Sequence, residues 1–343
     1  TAAHPVAMKT ATILRQYLSD TTLVYGGVYR SYAAKSVLHQ NPAIDIIVHG
    51  EGEATAVDLA NALLGGRSLA EVKGITWRQG DSLCTNPPRP PIANLDRFRP
   101  GWELVDWPAY RLFGQRAAGM QFSRGCTLRC IYCGQWSFWR RWRHRSPQKF
   151  VDELEALVTE YGVRFVWLAD ENFAADRAVT RAVLEALAER RLDLSLNLNM
   201  TAADVVRDAE LLPLYKRAGI DNIIMGIETV DDATVEMVRK NNPFTVSKQA
   251  VRLLRQHNIV SFVNIIDGLE DESWSTLWRT FKGVFELDAD VINACYITPH
   301  FWTKTGRSVQ PAQIIDANLA RWTYRNQVIG TPQLAPWQLF LAV

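Results

Sequence analysis

Short apolar runs alternate with amphipathic segments along most of the chain. Apolar runs after residue 114 predict six strands, at 118–123, 163–169, 194–199, 222–226, 260–266 and 291–298. Segments of helical period accompany them, at about 146–161, 175–190, 207–218, 231–240, 245–257 and 271–287. Buried strands that alternate with helices are typical of the α/β class, in which helices cover a parallel sheet. Six such units in a row predict a partial (β/α)6 barrel, whose chemistry lies at the carboxyl ends of the strands.

The first 82 residues repeat this alternation on a smaller scale. Helices are predicted at about 8–18 and 31–39, and strands at 22–25 and 44–48. Glycines end both strands, first as Gly26-Gly27 and then in the segment that begins Gly50-Glu51. The pattern predicts part of a doubly wound parallel sheet, in which ligands bind beyond the carboxyl ends of the strands and glycine lets the backbone approach them. We expect the first half of such a domain to be missing from the chain.

Prolines mark the boundary between these two regions. Six of the 15 prolines fall between residues 83 and 108, in a stretch without strand or helix period. We therefore divide the chain into a partial doubly wound domain at 1–82, a proline-rich linker at 83–114, the barrel at 115–305 and the start of a truncated helical region at 306–343. The chain opens at Thr1 without a methionine and stops within an apolar run at Val343. We expect it to be an internal fragment of a longer protein.

Composition and charge exclude several classes of protein. The 38 Lys and Arg residues nearly balance the 36 Asp and Glu residues, so the net charge of +2 provides no global field for nucleic-acid binding. A hydrophobic fraction of 48% with 22% charged residues is typical of a globular chain and excludes disorder as its main state. No apolar stretch approaches the ~18 residues of a transmembrane segment. The sequence therefore predicts a cytoplasmic protein without a nucleic-acid partner.

Three of the five cysteines, Cys126, Cys130 and Cys133, lie within eight residues, directly after the first predicted barrel strand. They are too close together for a framework of loop-closing disulfides, and Gly125 before them allows a sharp turn. Thiolates select zinc or iron–sulfur clusters. A structural zinc site needs a fourth ligand, and the nearby candidate, His144, lies among arginines that repel a cation. Three thiolates on a 4Fe-4S cluster leave one iron open to another ligand.

The spacing Cys-x3-Cys-x2-Cys at the head of a βα barrel resembles the radical S-adenosylmethionine (SAM) superfamily. The resemblance implies a 4Fe-4S cluster on these three cysteines, with SAM bound to the open iron through its amino and carboxylate groups. It also implies contacts to SAM from residues at the later strand ends. These residues are Tyr132, Asp170, Glu171, Asn199 and Glu228. The turn that contains Asp170 and Glu171 departs from the Gly-Gly-Glu form of many members.

Aromatic residues and arginines are interleaved directly after the third cysteine, at 135–145. Three interpretations stay open for them. They could stack bases and hold phosphates, or form an edge with buried tryptophans and solvated arginines, or bind a flat aromatic substrate whose carboxylate pairs with arginine. The third interpretation makes candidate substrate residues of Trp136, Trp139, Arg140, Arg141 and Arg143.

Segments 125–147, 167–173, 298–302 and 321–327 resemble the anaerobic magnesium-protoporphyrin IX monomethyl ester cyclase family of bacteriochlorophyll synthesis. That resemblance implies a radical SAM barrel preceded by a cobalamin-binding domain. The implied reaction is oxidative closure of the isocyclic ring by a 5′-deoxyadenosyl radical, with oxygen from water, giving divinyl protochlorophyllide. The implied partners are the tetrapyrrole substrate and a reduced donor such as flavodoxin or ferredoxin. The implied contacts for cobalamin are Gly26, Gly27, Gly50 and Glu51.

His300, beyond the sixth predicted strand, and Tyr296, near the end of that strand, are candidates for proton transfer. A structural role for His300 fits the sequence at least as well. Two other functions also stay open. One is a different cobalamin-dependent radical SAM enzyme, such as a C-methyltransferase. The other is a non-catalytic sensor that binds cobalamin or an iron–sulfur cluster and never cleaves SAM.

Overall fold

The computed structural model describes residues 2–240 and 242–342, so Thr1, Asn241 and Val343 lie outside the described residues, as do the expectations that concern the two ends of the chain. The helices are α1 (Ala3–Tyr17), α2 (Val28–Gln40), α3 (Glu53–Leu64), α4 (Trp136–Trp139), α5 (Pro147–Thr159), α6 (Arg177–Arg190), α7 (Ala202–Arg207), α8 (Leu212–Arg217), α9 (Asp232–Met237), α10 (Phe244–Gln256), α11 (Trp274–Leu287), α12 (Lys304–Ser308) and α13 (Pro336–Ala342). The strands are β1 (Val24–Gly26), β2 (Ile46–Val48), β3 (Ile75–Gln79), β4 (Ser82–Thr85), β5 (Arg111–Leu112), β6 (Gln115–Met120), β7 (Ser123–Arg124), β8 (Arg143–His144), β9 (Val163–Leu168), β10 (Ser195–Asn199), β11 (Ile220–Glu228), β12 (Val260–Asp267) and β13 (Val291–Tyr296). None of the helices described is both long and apolar enough to cross a membrane.

Among the described residues, seven strands form one large open sheet in the order β13-β12-β11-β10-β9-β6-β5. The six strands of the barrel pair in parallel, and the short β5 is antiparallel to β6. Six parallel strands joined by helices confirm the predicted partial (β/α)6 barrel. Their carboxyl ends meet at one edge, which is where the sequence puts the candidate site residues.

This sheet has an apolar outer face and a mixed concave face, because side chains alternate along each strand. On the outer face, Leu196, Leu198 and Val263 are fully buried against the helices. Phe150 and Leu154 of α5 belong to the same core and are also fully buried. Burial of this continuous apolar layer stabilises the barrel. The concave face is left to line a site.

The predicted barrel elements agree with the observed ones to within three residues at each end, apart from one helix. The helix predicted at 207–218 begins only at Leu212, as α8, because Pro213 in its first turn has no N–H with which to continue a helix from the preceding residues. The helix predicted at 231–240 ends at Met237, and Arg239 then adopts a left-handed backbone with a φ of 59°.

The smaller sheet has the order β1-β2-β3-β4. Its first two strands are parallel, as predicted, but β3 and β4 form an antiparallel hairpin that the sequence-based prediction lacks, together with α3. The hairpin could have been predicted from Gly80, a glycine in the turn between β3 and β4 whose φ is 58°. The sheet continues to Thr85, and Arg111 already belongs to the large sheet. The four-part division of the chain stays a prediction.

The residues after the barrel cover the carboxyl ends of its last strands. Val328 and Ile329 are buried against Leu269 and Ile297 there. The helical character predicted for 306–343 is wrong for most of the described part, in which the helices α12 and α13 have only five and seven residues. The rest of the segment is irregular and held by packing.

The apolar layer under the barrel predicts a large loss of stability on truncation of a buried ring. Phe150→Ala removes a fully buried side chain from α5 and is expected to lower the free energy of unfolding by about 3–5 kcal/mol, as measured by urea denaturation. Phe285→Ala, on α11, is the matched control because that ring is 70% exposed, and it should change stability by less than about 0.5 kcal/mol. Equal losses in the two variants would contradict this description of the core.

Candidate active site

The three clustered cysteines lie on one loop, residues 125–134, which we call the cysteine loop. It connects β7 to α4 at the carboxyl edge of the large sheet. The backbone N–H of Leu128 donates to Cys126 Sγ, and that of Gln135 donates to Cys133 Sγ, both at 3.4 Å. Cys130 is buried, at 5% exposure. Backbone donors aimed at sulfur favour the thiolate form that binds iron.

The first residue of the cysteine loop has to be glycine. Gly125 has a φ of 95°, and a Cβ at this position would lie 2.3 Å from the carbonyl oxygen of Arg141. The conflict is with backbone, so it cannot be relieved by a side-chain rotation. The cysteine loop is therefore packed directly against the backbone of Arg141 and Trp142, the two residues before β8.

The donor set fits a three-thiolate iron–sulfur cluster. All five cysteines are free thiols, and burial raises the pKa of Cys126 and Cys130 and raises that of Cys133 to about 11, so a metal must displace protons to bind. Among the described residues no three His, Cys, Asp or Glu side chains converge on a single ion position. Such convergence is not required by a cluster, whose thiolates bind different irons. His144 is turned away, with its Nδ1 2.8 Å from the carbonyl oxygen of Arg145.

Glu228 closes the strand β11 and forms a buried ion pair that the sequence-based prediction lacks. Its Oε1 accepts a hydrogen bond from Lys240 Nζ at 2.8 Å, and the two residues are 7% and 9% exposed. A register shift between Gly226 and Glu228, whose φ is 70°, turns the carboxylate toward the cysteine loop. A Cβ on Gly226 would lie 2.1 Å from Glu228 Oε1. Burial and the Glu228 charge hold the pKa of Tyr132 well above its usual value.

Asp170 differs from the expectation that it contacts SAM. Its carboxylate accepts hydrogen bonds from the backbone N–H groups of Phe122 and Ser123, at 3.0 and 2.5 Å, and from the Ser123 hydroxyl. The side chain is 1% exposed, so both oxygens are used inside the chain. Asn199 Nδ2 in turn donates to the carbonyl oxygen of Asp170 at 3.1 Å. Asp170 and Asn199 therefore stabilise the turn after β9 through these hydrogen bonds.

Glu171, the next residue, lies closer to the cysteine loop. Its Oε1 accepts a hydrogen bond from the indole N–H of Trp139 at 3.2 Å, and burial raises the pKa of its carboxyl. The guanidinium of Arg124 lies over the same indole, 5.2 Å from the ring centroid. Trp139, a candidate for stacking on substrate, is therefore already engaged. Trp136 opens the same short helix, α4.

Glu51 and Arg143, the candidates for cobalamin and substrate contacts, form an ion pair with each other. Their closest atoms are 2.5 Å apart, and the side chains of Glu51 and Arg143 are 5% and 13% exposed. This ion pair joins the carboxyl end of β2 to the strand β8. Arg124 donates to the same carboxylate at 3.2 Å and also pairs with Glu53. The fold thus brings these opposite charges together, and the cobalamin role of Glu51 and the substrate role of Arg143 stay predictions.

Arg140 and Arg141 are the exposed cations of the arginine-rich segment. No ion pair involves either of them within the described part of the chain. Arg140 also lines a cavity of about 260 Å³ between the two sheets, together with Gly50 and His49. Gly26 ends β1, and Gly27, with a φ of 112°, precedes α2.

A second cavity, of about 380 Å³, separates the start of α2 from the cysteine loop. It is lined by Gly134, Trp302 and the pair His300 and Tyr324, whose Nε2 and hydroxyl oxygen lie 2.6 Å apart. Burial lowers the pKa of His300 to about 4 and raises that of Tyr324 to about 12, so both are neutral at pH 7. Tyr324 was not among the predicted residues.

Tyr296, the other candidate for proton transfer, lies outside this cavity. Its side chain packs against Leu277, Leu334 and Leu339 and is 7% exposed. The alternation along β13 directs it to the face opposite Cys295. Tyr296 thus packs in an apolar cluster, and its role in proton transfer stays a prediction.

The concave face of the barrel presents an exposed aromatic ring. Trp167 of β9 is 46% exposed and lies in register with Gly119 on one neighbouring strand and Asn197 on the other. A Cβ on Gly119 would meet no atom within 4 Å, so the space beside the indole is open. Farther along the same face, Asn293 Nδ2 donates to Asn264 Oδ1 at 2.7 Å. The concave face is thus both aromatic and polar.

Comparisons with known proteins agree with this arrangement. The model of the radical SAM superfamily matches residues 120–283. The anaerobic magnesium-protoporphyrin IX monomethyl ester cyclase of Synechocystis sp. is 38% identical, over 100% of this chain and 69% of that protein. The cyclase of the same name from Rubrivivax gelatinosus is 36% identical, over 85% of this chain and 54% of that protein. The structure of the radical SAM methyltransferase TsrM from Kitasatospora setae, with cobalamin and a 4Fe-4S cluster bound, has a TM-score of 0.77 at 18% identity, over 98% of this chain and 74% of that chain.

The close approach of Gly125 to Arg141 predicts that Gly125→Ala displaces the cysteine loop. After anaerobic reconstitution with iron and sulfide, this variant should retain less than about half of the wild-type iron, while its circular dichroism spectrum is unchanged. Gly119→Ala is the matched control, since the added methyl group meets no atom within 4 Å. Full iron content in Gly125→Ala would refute the packing described for the cysteine loop.

Proposed function

Because the chain belongs to the anaerobic magnesium-protoporphyrin IX monomethyl ester cyclase family of radical SAM proteins, we propose that it closes the isocyclic ring of that tetrapyrrole. The product would be divinyl protochlorophyllide, with oxygen taken from water. The observation that carries the proposal is 38% identity over the whole chain to a cyclase, together with a three-thiol loop at the head of the barrel. The chain spans 69% and 54% of the two cyclases compared, so the activity is proposed for the complete protein.

The cysteine loop would hold a 4Fe-4S cluster through its three thiols and leave one iron open to SAM. Tyr132, Glu171 and Glu228 are the candidate contacts for SAM, since Tyr132 belongs to this loop and the two carboxylates lie beside it. Cobalamin would occupy the space between the two sheets, beside Gly50 and Gly134. When bound, the cluster and SAM supply one-electron reduction and hydrogen abstraction from an unactivated carbon.

We assign the flat substrate to the concave face of the barrel. Trp139 and Arg143, two of the predicted substrate residues, already bind Glu171 and Glu51. Trp167 instead presents about half of its surface to open space at the level of the strand ends. Stacking on a rigid indole orients a planar macrocycle, and Arg140 and Arg141 are left as exposed partners for a carboxylate.

The His300 and Tyr324 pair closes the barrel on the side of the smaller sheet. Both groups are neutral at pH 7 and share a hydrogen bond, so they line the second cavity without adding charge to it. Trp302 stacks on His300 with ring centroids 4.7 Å apart and keeps its imidazole in place. The cytoplasmic location and the flavodoxin or ferredoxin donor stay predictions.

The cyclase activity is tested by anaerobic conversion of magnesium-protoporphyrin IX monomethyl ester by the complete reconstituted protein in water enriched in heavy oxygen. Mass spectrometry should detect divinyl protochlorophyllide that carries one labelled oxygen. An unlabelled product would contradict the proposal, and a methylated tetrapyrrole would favour a C-methyltransferase. Binding of cofactors without any 5′-deoxyadenosine would favour a sensor.

The exposed indole predicts a specific loss of substrate affinity. Trp167→Leu should weaken binding of magnesium-protoporphyrin IX monomethyl ester about tenfold, because a stacking surface is lost. The dissociation constant is measured anaerobically from the change in porphyrin absorbance. Trp274→Leu, on α11, is the matched control, since that indole is 52% exposed outside the barrel.

Cleavage of SAM without substrate separates this assignment from general damage. Both tryptophan variants should form 5′-deoxyadenosine at the wild-type rate, because neither indole touches the cysteine loop. Unchanged affinity in Trp167→Leu would show that the substrate does not bind to this part of the concave face.

A further inference from the structure

Lys240 carries a positive charge into the interior beside the cysteine loop. The residue is 9% exposed, and its ammonium is 2.8 Å from Glu228 Oε1. A buried ammonium is costly unless it is paired, so its position is specified by the fold rather than by solvent. The pair lies where β11 bulges, at the carboxyl edge of the barrel.

The backbone before Lys240 contacts the cysteine loop directly. The N–H of Ile131 donates to the carbonyl oxygen of Val238 at 3.2 Å, and the Cys130 thiol donates to the carbonyl oxygen of Arg239 at 3.8 Å. The left-handed backbone of Arg239 then turns Lys240 inward, where its N–H donates to the carbonyl oxygen of Val235 at 3.0 Å. The ammonium is therefore fixed by the same segment that supports the cysteine loop.

The space around this ammonium is shaped for it. A Cβ on Gly226 would lie 2.7 Å from Lys240 Nζ, so glycine keeps the position open. Burial raises the pKa of Cys126 and Cys130, and the charge of Lys240 acts in the opposite direction on both thiols. The carboxylate of Glu228 balances the positive charge of Lys240 one for one. Three cysteine thiolates add further negative charge, which this ion pair does not neutralise.

We propose that Lys240 is a positioning residue that offsets the negative charge of the cluster held by the cysteine loop and so favours its reduced state, while Glu228 opposes it. The inference rests on the proposed function only in requiring a 4Fe-4S cluster on the three cysteines. Reduction adds one electron from a low-potential one-electron donor and forms or breaks no bond. A fixed charge held in a buried position by the segment that contacts the cysteine loop is strong enough to bias that equilibrium.

The test is a reductive titration of the reconstituted protein with dithionite, followed by electron paramagnetic resonance and without SAM or tetrapyrrole. Lys240→Met should make reduction harder by roughly tenfold in the equilibrium constant, which is about 59 mV for one electron. Lys240→Arg keeps the charge and should restore most of the shift. Lys248→Met is the matched control, because Lys248 lies on α10 and pairs with Glu286 at the surface. It should titrate as wild type.

Glu228→Gln should shift the reduction equilibrium of the cluster in the opposite direction. It removes the opposing negative charge and leaves the ammonium, so reduction should become easier than in wild type. Shifts of the same sign in Lys240→Met and Glu228→Gln, or no shift in either at wild-type iron content, would overturn the inference. If Lys240→Met loses its iron, Lys240→Arg and Glu228→Gln still decide it. A wild-type protein that assembles no cluster on the three cysteines defeats the proposed function instead.

Discussion

Asp170 accepts hydrogen bonds from the backbone N–H groups of Phe122 and Ser123, and these bonds decide the path of the chain into the site. They end the first barrel strand at Met120 by taking donors that a longer strand would have offered to its neighbour. The chain then turns into the short hairpin β7–β8, which carries the cysteine loop between its strands. A buried carboxylate is stable here because each oxygen has a backbone partner, whereas an unpaired one would cost several kcal/mol.

The same hairpin also joins the two sheets. The side chains of Arg124, in β7, and Arg143, in β8, extend toward the smaller sheet. Both form ion pairs with Glu51 at the carboxyl end of β2. Tyr32 of α2 stacks on Trp302 with ring centroids 5.1 Å apart. These contacts set the carboxyl edges of both sheets opposite each other, with the two cavities between them. The cysteine loop and the start of α2 therefore line the same cavity.

The repeating units of the barrel and the three-thiol loop could be predicted from the sequence, because periodicity and spacing are local. Partners distant in the chain could not. Glu51 and Arg143 are 92 residues apart, and each looks like a binding residue until the fold pairs them. Lys240 and Tyr324 carry no motif, and only the bulge of β11 and the irregular segment after the barrel bring them to the site. Trp167 lies in a segment that carries the family resemblance. Its exposure could not be predicted, because it depends on which face of β9 is concave.

The central claim is that the three cysteines hold a cluster that cleaves SAM. The most direct measurement is iron content together with 5′-deoxyadenosine formation, in the anaerobically reconstituted protein and in the variant with Cys126, Cys130 and Cys133 replaced by alanine. The wild type should bind about four irons and form 5′-deoxyadenosine when reduced with SAM present, and the variant should lose both. Unchanged iron in the variant, with no 5′-deoxyadenosine from either protein, would contradict the claim.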